Sequence, residues 1–156
     1  MMGTINSNLA GCRMTYKHGL HEIKYQYGLH DAQINKITCT DEGIILEFHN
    51  GVYILDDSGK ETELSKKCYL ELKINFFDSR KMYQSIQIYL IRKNRFREIE
   101  YAEFETMLSK SPITVYMDYY SPFADSLLIK GSMKQGGIEF IVTEIAELSF
   151  SFENSN

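Results

Sequence analysis

Three of the four histidines lie within the first 30 residues, two of them directly before an acidic residue, and their side chains are the first candidates for chemistry. His18 and His21 form a His-x-x-His pair followed by Glu22, and His30 is followed directly by Asp31. Imidazole and carboxylate groups are ligands for zinc and iron, and an aspartate beside a histidine can orient the ring. The pattern therefore makes His18, His21 and His30 candidate metal ligands.

The spacing of these histidines matches no zinc motif, so a structural interpretation stands beside the metal one. In that interpretation His30 and Asp31 cap the start of a strand through hydrogen bonds from their side chains to the backbone. The sequence assigns no catalytic residue and predicts no cofactor. A metal-dependent enzyme that uses the region of His18, His21, His30 and Asp31 is accordingly the third of three functional hypotheses.

The cysteines do not support a disulfide framework or a catalytic thiol. Cys12, Cys39 and Cys68 are an odd, widely spaced set without a Cys-x-x-Cys motif, which argues against both disulfides and a zinc knuckle. Cys39 and Cys68 sit in apolar alternation, where cysteine is usually an inert small hydrophobe. Reduced thiols and a cytoplasmic location are the prediction.

A second cluster with binding chemistry lies in the C-terminal half, where Asp118 is surrounded by Tyr116, Tyr119 and Tyr120. Tyrosine is enriched at interfaces, and an acidic and aromatic cluster is suited to line a pocket or a protein interface. Ordinary strand alternation is the alternative, with Tyr119 inward and Tyr116 and Tyr120 on the surface. The candidate binding residues of the whole chain are His30, Asp31, Tyr116, Asp118 and Tyr120.

The composition limits the kind of fold that can hold these residues. The chain has 156 residues, of which 44% are hydrophobic and 24% charged, as expected of one globular domain. We expect a flexible tail over residues 1–15 and a single β-rich domain over residues 16–156. The net charge of −4 argues against nucleic acid as a partner. No apolar run approaches a membrane span, so no membrane association is predicted.

The dipeptide Asn50-Gly51 is the strongest local signal for a β-hairpin, because both residues tolerate the positive φ angles of a two-residue type I′ turn. With that turn, Phe48 faces Tyr53 across the hairpin, and Leu46 faces Leu55. The predicted buried face then consists of Ile44, Leu46, Phe48, Tyr53 and Leu55. The opposite face carries Ile45, Glu47, His49, Val52 and Ile54.

Alternation elsewhere predicts further strands and one helix. Cys68, Leu70, Leu72, Ile74 and Phe76 share one face of a half-buried strand. Between residues 33 and 40 the alternation is flawed, which indicates a bulge near residue 35 or burial of both faces. The only helical spacing lies in residues 98–110. The predicted fold is mainly β: an antiparallel sandwich or partly closed barrel of about eight or nine strands with one helix.

One stretch resembles a known kind of protein. The run Leu29-His-Asp-Ala-Gln-Ile-Asn-Lys-Ile37, followed by Gly43-Ile-Ile-Leu-Glu-Phe48, is similar to the opening of small uncharacterised bacterial β-rich domains, some of them similar to toxin-immunity proteins. The resemblance covers residues 28–55 and carries no catalytic residue. It implies a non-enzymatic binding domain.

These observations order three hypotheses. The first is a domain that binds another protein or a second copy of itself, as the tyrosines, the acidic charge and the resemblance favour. The second is a small-molecule binder, because a curved antiparallel sheet can hold one ligand. The metal-dependent enzyme comes third. A cavity beside His30 separates the second hypothesis from the first.

Overall fold

A computed structural model describes residues 2–5, 12–17, 27–121 and 123–153, the first two ranges by their backbone alone. These residues form fifteen strands and one α-helix, α1 (Tyr101–Lys110), together with a short 3-10 turn at Met82–Gln84. The strands are β1 (Met2–Ile5), β2 (Cys12–Lys17), β3 (Tyr27–Gly28), β4 (Gln33–Ile34), β5 (Lys36–Cys39), β6 (Gly43–Phe48), β7 (Tyr53–Leu55), β8 (Glu61–Leu64), β9 (Cys68–Ile74), β10 (Ile86–Arg92), β11 (Arg95–Ile99), β12 (Ile113–Ser121), β13 (Ser126–Met133), β14 (Gly136–Val142) and β15 (Ile145–Phe152).

The strands form two six-stranded sheets and one small sheet. The first sheet has the order β1-β2-β15-β9-β6-β5, the second β11-β10-β14-β13-β12-β4, and the third β3-β7-β8. Every pairing is antiparallel. Buried side chains from both large sheets form one core. The mainly β, antiparallel fold with a single helix is confirmed, although the described strands outnumber the eight or nine predicted.

Strand β9 shows how alternation builds this core and where it fails. Cys68, Leu70, Leu72 and Ile74 are buried as predicted. Phe76 does not join them: it is 96% exposed and has a positive φ of 58°. The strand ends at Ile74 because the backbone turns there, and the next N–H, of Asn75, donates to the carbonyl of Glu144 at 2.7 Å.

The flaw in alternation near residue 35 marks a strand that changes sheets. β4 pairs with β12 in the second sheet, and β5 pairs with β6 in the first. At the corner the Asn35 N–H donates to the Glu47 carbonyl at 2.8 Å, and the Asn35 side chain accepts from the His49 N–H at 2.9 Å. Ile34 and Ile37 are therefore both buried despite their opposite parity.

The predicted hairpin at Asn50-Gly51 is wrong. β6 pairs with β5 and β9, whereas β7 pairs with β3 and β8 in the third sheet. Gly51 has the positive φ of 82° that the turn signal predicts, but the chain leaves the turn toward Ser65, whose N–H donates to the Val52 carbonyl at 2.7 Å.

The predicted burial is correct before the turn and wrong after it, because the chain joins another sheet after the turn. On β6 the predicted inward residues Ile44, Leu46 and Phe48 are buried. After the turn Val52, predicted to lie on the opposite face, is buried, while Tyr53 and Leu55 are half-buried.

The helix starts three residues later than predicted because β11 occupies residues 95–99. Its buried side is formed by Phe104, Met107 and Leu108. A two-residue hairpin of the type predicted at residue 50 occurs instead before β11, where Lys93 and Asn94 have φ angles of 50° and 63°. No helix of the described residues is long and apolar enough to cross a lipid bilayer.

The N-terminal strands fall partly within the predicted tail. The backbone of β2 pairs with β15, with Thr15 opposite Ser149, and β1 pairs with β2. Residues 2–5 and 12–15 of the predicted tail thus lie in the first sheet, and the rest of that range lies outside the described residues.

Candidate binding cavity between the sheets

Three of the five candidate binding residues, His30, Asp118 and Tyr120, line a cavity of about 390 Å³ at one side of the sandwich. It is bounded by the two large sheets, by the turn that follows β3 and by the small third sheet. The lining residues are Tyr27, Gly28, Leu29, His30, Leu55, Gly59, Glu61, Leu70, Asp118, Tyr119, Tyr120, Leu127, Leu148 and Phe150.

The inner wall of the cavity is apolar. Leu70 and Phe150 come from neighbouring strands of the first sheet and lie opposite each other in the β9–β15 register, while Leu127 comes from the second sheet. The Tyr27 ring packs against Phe150 with its centroid 5.1 Å away and against Phe152 at 4.8 Å. This aromatic contact ties the third sheet to the first and shapes the wall.

A β-bulge in β12 places Asp118 at this cavity. The pairing of β12 with β13 shifts between Val115 and Met117, and after the shift Asp118 lies opposite Ile129 and Tyr120 opposite Leu127. Cross-strand partners point to the same face, and Leu127 and Ile129 are buried. The carboxylate therefore projects from the inner face of the sheet.

The bulge also overturns the predicted alternation of the tyrosines. An extra residue in one strand reverses the parity of every side chain after it. Tyr120 packs against the core, whereas Tyr119, predicted inward, is 56% exposed. Tyr116 is exposed as that prediction had it, at 52%.

A tight turn positions His30 and Asp31 beside the bulge. The Ala32 N–H donates to the Leu29 carbonyl at 2.9 Å, and the Asp31 N–H donates to the Val115 carbonyl at 2.7 Å. Asp31 adopts a left-handed φ of 63°, which aspartate tolerates better than most residues. Backbone hydrogen bonds thus close the turn and hold His30 at the mouth of the cavity.

The His30 ring lies among three carboxylates. Its Nδ1 is 3.2 Å from Asp31 Oδ2 and 3.4 Å from Glu61 Oε1. Burial raises the pKa of the Asp118 carboxyl above its ordinary value, His30 and a hydrogen bond from the Leu29 backbone oppose this rise, and Glu61 adds to it. Asp118 is an exposed residue, so the rise in its pKa reflects only a partial loss of hydration at the carboxyl group.

A hydrogen-bonded turn positions Glu61 at the cavity. Asp56 Oδ1 accepts hydrogen bonds from the Ser58 hydroxyl at 2.7 Å and from the Lys60 N–H at 2.9 Å. The bond from the Ser58 side chain is the main reason why the pKa of Asp56 is lowered. This turn connects β7 to β8 and starts β8 at Glu61. The sequence predicts a plain turn and a polar connection here, and Glu61 is not among the predicted site residues.

The structure brings together some of the predicted site residues. His30, Asp118 and Tyr120 line the cavity, and Asp31 contacts His30 from outside it. Tyr116 is not among the lining residues. The predicted metal candidates His18 and His21 lie outside the described residues. Within the described part of the chain, donor atoms of His30, Asp31 and Glu61 lie within 4.8 Å of one another, and all three residues are exposed.

The described cysteines lie away from the cavity. Cys68 is buried, and burial strongly raises the pKa of its thiol. Burial also raises the pKa of Cys39, and the carboxylates of Glu105 and Asp41 add to the rise. Both environments disfavour the reactive thiolate.

Comparison with protein-family models, with curated proteins and with solved structures finds no match to this chain. The resemblance to immunity-like domains therefore stays a prediction.

Proposed function

We propose that this domain binds a small molecule in the cavity between its two large sheets. The observation that carries the proposal is the cavity of about 390 Å³, which lies within the range of roughly 300 to 1,000 Å³ typical of ligand sites. Among the three hypotheses from sequence, the small-molecule binder is thus the one that the geometry supports best.

The lining supports the proposal as much as the volume does. Leucine and aromatic side chains form most of the wall, and the polar groups are few and gathered near His30. Ligand sites in general combine a mostly apolar surface with a few placed polar groups that fix orientation. The elements that carry these groups are held by backbone pairing, so the site is formed before a ligand arrives.

The test is to fill the cavity and measure the binding of an apolar dye. The chain contains no tryptophan, so Leu127→Trp adds bulk at a wall residue that is 2% exposed, together with a fluorescent reporter. Leu64→Trp, at a residue that is 48% exposed and outside the lining, is the matched control. We expect Leu127→Trp to weaken Nile red binding by about tenfold or more, the equivalent of roughly 1.4 kcal/mol, and Leu64→Trp to leave it unchanged.

Circular dichroism of both variants confirms that each is folded before the dye titrations are compared. Unaltered affinity in folded Leu127→Trp, or no Nile red binding by the unsubstituted protein, contradicts the proposal.

A second candidate function is protein binding through the outer face of β12. The observation that favours it is a run of exposed side chains, with Tyr116, Met117 and Tyr119 at 52%, 42% and 56% exposure. Exposed tyrosine and methionine in one patch are typical of interfaces. This patch adjoins the cavity through Tyr119, which also lines it.

A cross-linking and mass-photometry comparison tests this second candidate. Tyr119→Ser removes a central ring of the patch, and Tyr83→Ser removes an equally exposed ring (66%) elsewhere. Loss of a complex or dimer in Tyr119→Ser, with retention in Tyr83→Ser, supports protein binding through β12. A monomer without a partner at every concentration counts against it.

A further inference from the structure

The charges at the mouth of the cavity are unbalanced. Glu61 and Asp118 line it with one imidazole, that of His30, and the lining residues that the structure describes contain no lysine or arginine. Asp31 adds a third carboxylate, 3.2 Å from the His30 ring. Even with a protonated imidazole, these described side chains together carry more negative than positive charge.

Asp118 is exposed at the rim, but its side chain leaves β12 on the face that packs toward the core. Its cross-strand partner Ile129 is buried. A carboxylate that loses water without a full counter-charge is costly. The imidazole that compensates Asp118 also lies within 3.4 Å of Glu61, so a single ring is shared among three carboxylates.

The walls of the cavity beyond Asp118 are apolar. Leu127, Leu148 and Phe150 come from both sheets and are 2%, 5% and 3% exposed. No charged side chain other than those at the mouth lines the described part of the cavity. The space therefore has an apolar interior behind an anionic rim.

We infer that the ligand of this cavity is an amphipathic cation, with an aliphatic or aromatic body that fills the interior and a protonated amine that lies between Asp118 and Glu61. This inference rests on the proposed binding function and adds the class of ligand. An ammonium group supplies donors and a positive charge where carboxylates are in excess. An anionic ligand of the same shape meets like charge at the rim and is disfavoured.

Three probes of equal length separate the head group from the body: octylamine, octanol and octanoate. Each is titrated into the protein by isothermal calorimetry at neutral pH, in the presence of EDTA so that no bound metal contributes. We expect octylamine to bind about tenfold or more tightly than octanol, and octanoate to bind most weakly, since one close charge pair is worth this factor when partly desolvated.

Asp118→Asn tests the group that we place against the amine. It keeps the size and hydrogen-bonding capacity of the side chain but removes its charge. We expect it to lower octylamine affinity by about tenfold and to leave octanol affinity unchanged. Asp41→Asn, an exposed aspartate outside the lining, is the matched control and changes neither.

The outcomes distinguish this inference from the function on which it rests. Equal binding of octylamine and octanol, or octylamine affinity that survives Asp118→Asn, overturns the cationic ligand but leaves the cavity as a binding site. Failure of all three probes to bind, together with failure of Nile red, overturns both. A preference for octylamine that disappears only in Asp118→Asn supports both.

Discussion

The two open sides of the sandwich are closed in different ways. On one side α1 lies against β5 of the first sheet and β10 of the second, and the Phe104 ring packs on Phe140 with centroids 5.6 Å apart. On the other side lies the small third sheet, and all four residues of its outer strand β8 are exposed. The helix brings large apolar side chains into the gap between the sheets, whereas the third sheet brings Glu61 and leaves a cavity.

This contrast shows what makes a binding site in an otherwise well-packed core. Both sides have aliphatic and aromatic walls drawn from the same two sheets. The difference is the covering element: an amphipathic helix buries Phe104, Met107 and Leu108, while the third sheet contributes the half-buried Tyr27 and Leu55 and leaves a cavity beside them. The cavity side is left with unfilled volume and with carboxylates that have one imidazole between them. A bound ligand would fill the volume and could neutralise the charge.

Removing one phenylalanine from each side has the largest expected effect. Phe104→Ala leaves a void in a close-packed region and should lower the free energy of unfolding by about 4 kcal/mol. Phe150→Ala is the matched change beside an existing cavity, and we expect it to cost about 1 kcal/mol less. Urea denaturation of both variants measures the difference, and a greater loss for Phe150→Ala would contradict the contrast.

Enlarging a side chain on each side tests the same contrast from the opposite direction, with a smaller expected change in the free energy of unfolding. Leu108→Phe overfills the helix side and should cost about 2 kcal/mol. Leu148→Phe points extra volume toward the cavity, so its cost should stay below about 1 kcal/mol. The same denaturation experiment reports both values. Equal costs would mean that the space near Leu148 cannot accept a side chain.

The contributions of Asp118 on the cavity side and Glu103 on the helix side to the free energy of unfolding should change with pH in opposite directions. The pKa of Asp118 is raised in the folded protein, chiefly by burial, so the folded state binds this proton more tightly than the unfolded state does. Its contribution to stability therefore falls as pH rises from the unfolded pKa through the folded one. Asp118→Asn should be more stable than the unsubstituted protein at neutral pH, with the difference vanishing in acid.

Glu103 on the helix side is the control for that titration. Arg97 donates to its carboxylate at 2.8 Å, and this hydrogen bond lowers the pKa of Glu103. Its stabilisation is present above the unfolded pKa and is lost as pH falls through the folded one. Glu103→Gln should thus be slightly less stable at neutral pH. Parallel pH dependences for the two variants would contradict the assignment of opposite environments.

Metal content is the smallest expected signal. His30, Asp31 and Glu61 supply three donors, all of them exposed, and zinc sites in proteins need three or four well-placed ligands. We expect purified protein to contain less than about a tenth of an equivalent of zinc or iron. Stoichiometric metal that is lost in His30→Ala would instead favour the third hypothesis, a metal-dependent site near His30.

Local sequence patterns predict where the strands of this protein lie better than they predict which strands pair with each other. Alternation identifies the inward residues of β6 and β9 because period-two burial is local to one strand. The Asn50-Gly51 signal also predicts the backbone at Gly51 correctly, with its positive φ. It fails on the pairing, because which strand follows a turn depends on long-range contacts such as the one between Val52 and Ser65.

The candidate site was only partly predictable for the same reason. His30 and Asp118 stand out by residue type, but their proximity depends on the turn at Asp31 and on the bulge that follows Val115. The bulge leaves no mark in the alternation of Ile113, Val115 and Met117, so regular alternation alone would point Tyr119 inward. Glu61 sits in a polar segment whose charges suit an ordinary solvent-exposed strand, and nothing local distinguishes it.

The most direct test of the cavity as a binding site is an amide NMR titration of the unsubstituted protein with octylamine. The account predicts saturable shift changes that centre on Leu29, His30, Asp118 and Tyr120, with no change at Phe104 or Met107 on the helix side. Shift changes that centre on α1, or that grow without saturation across the whole surface, would contradict it.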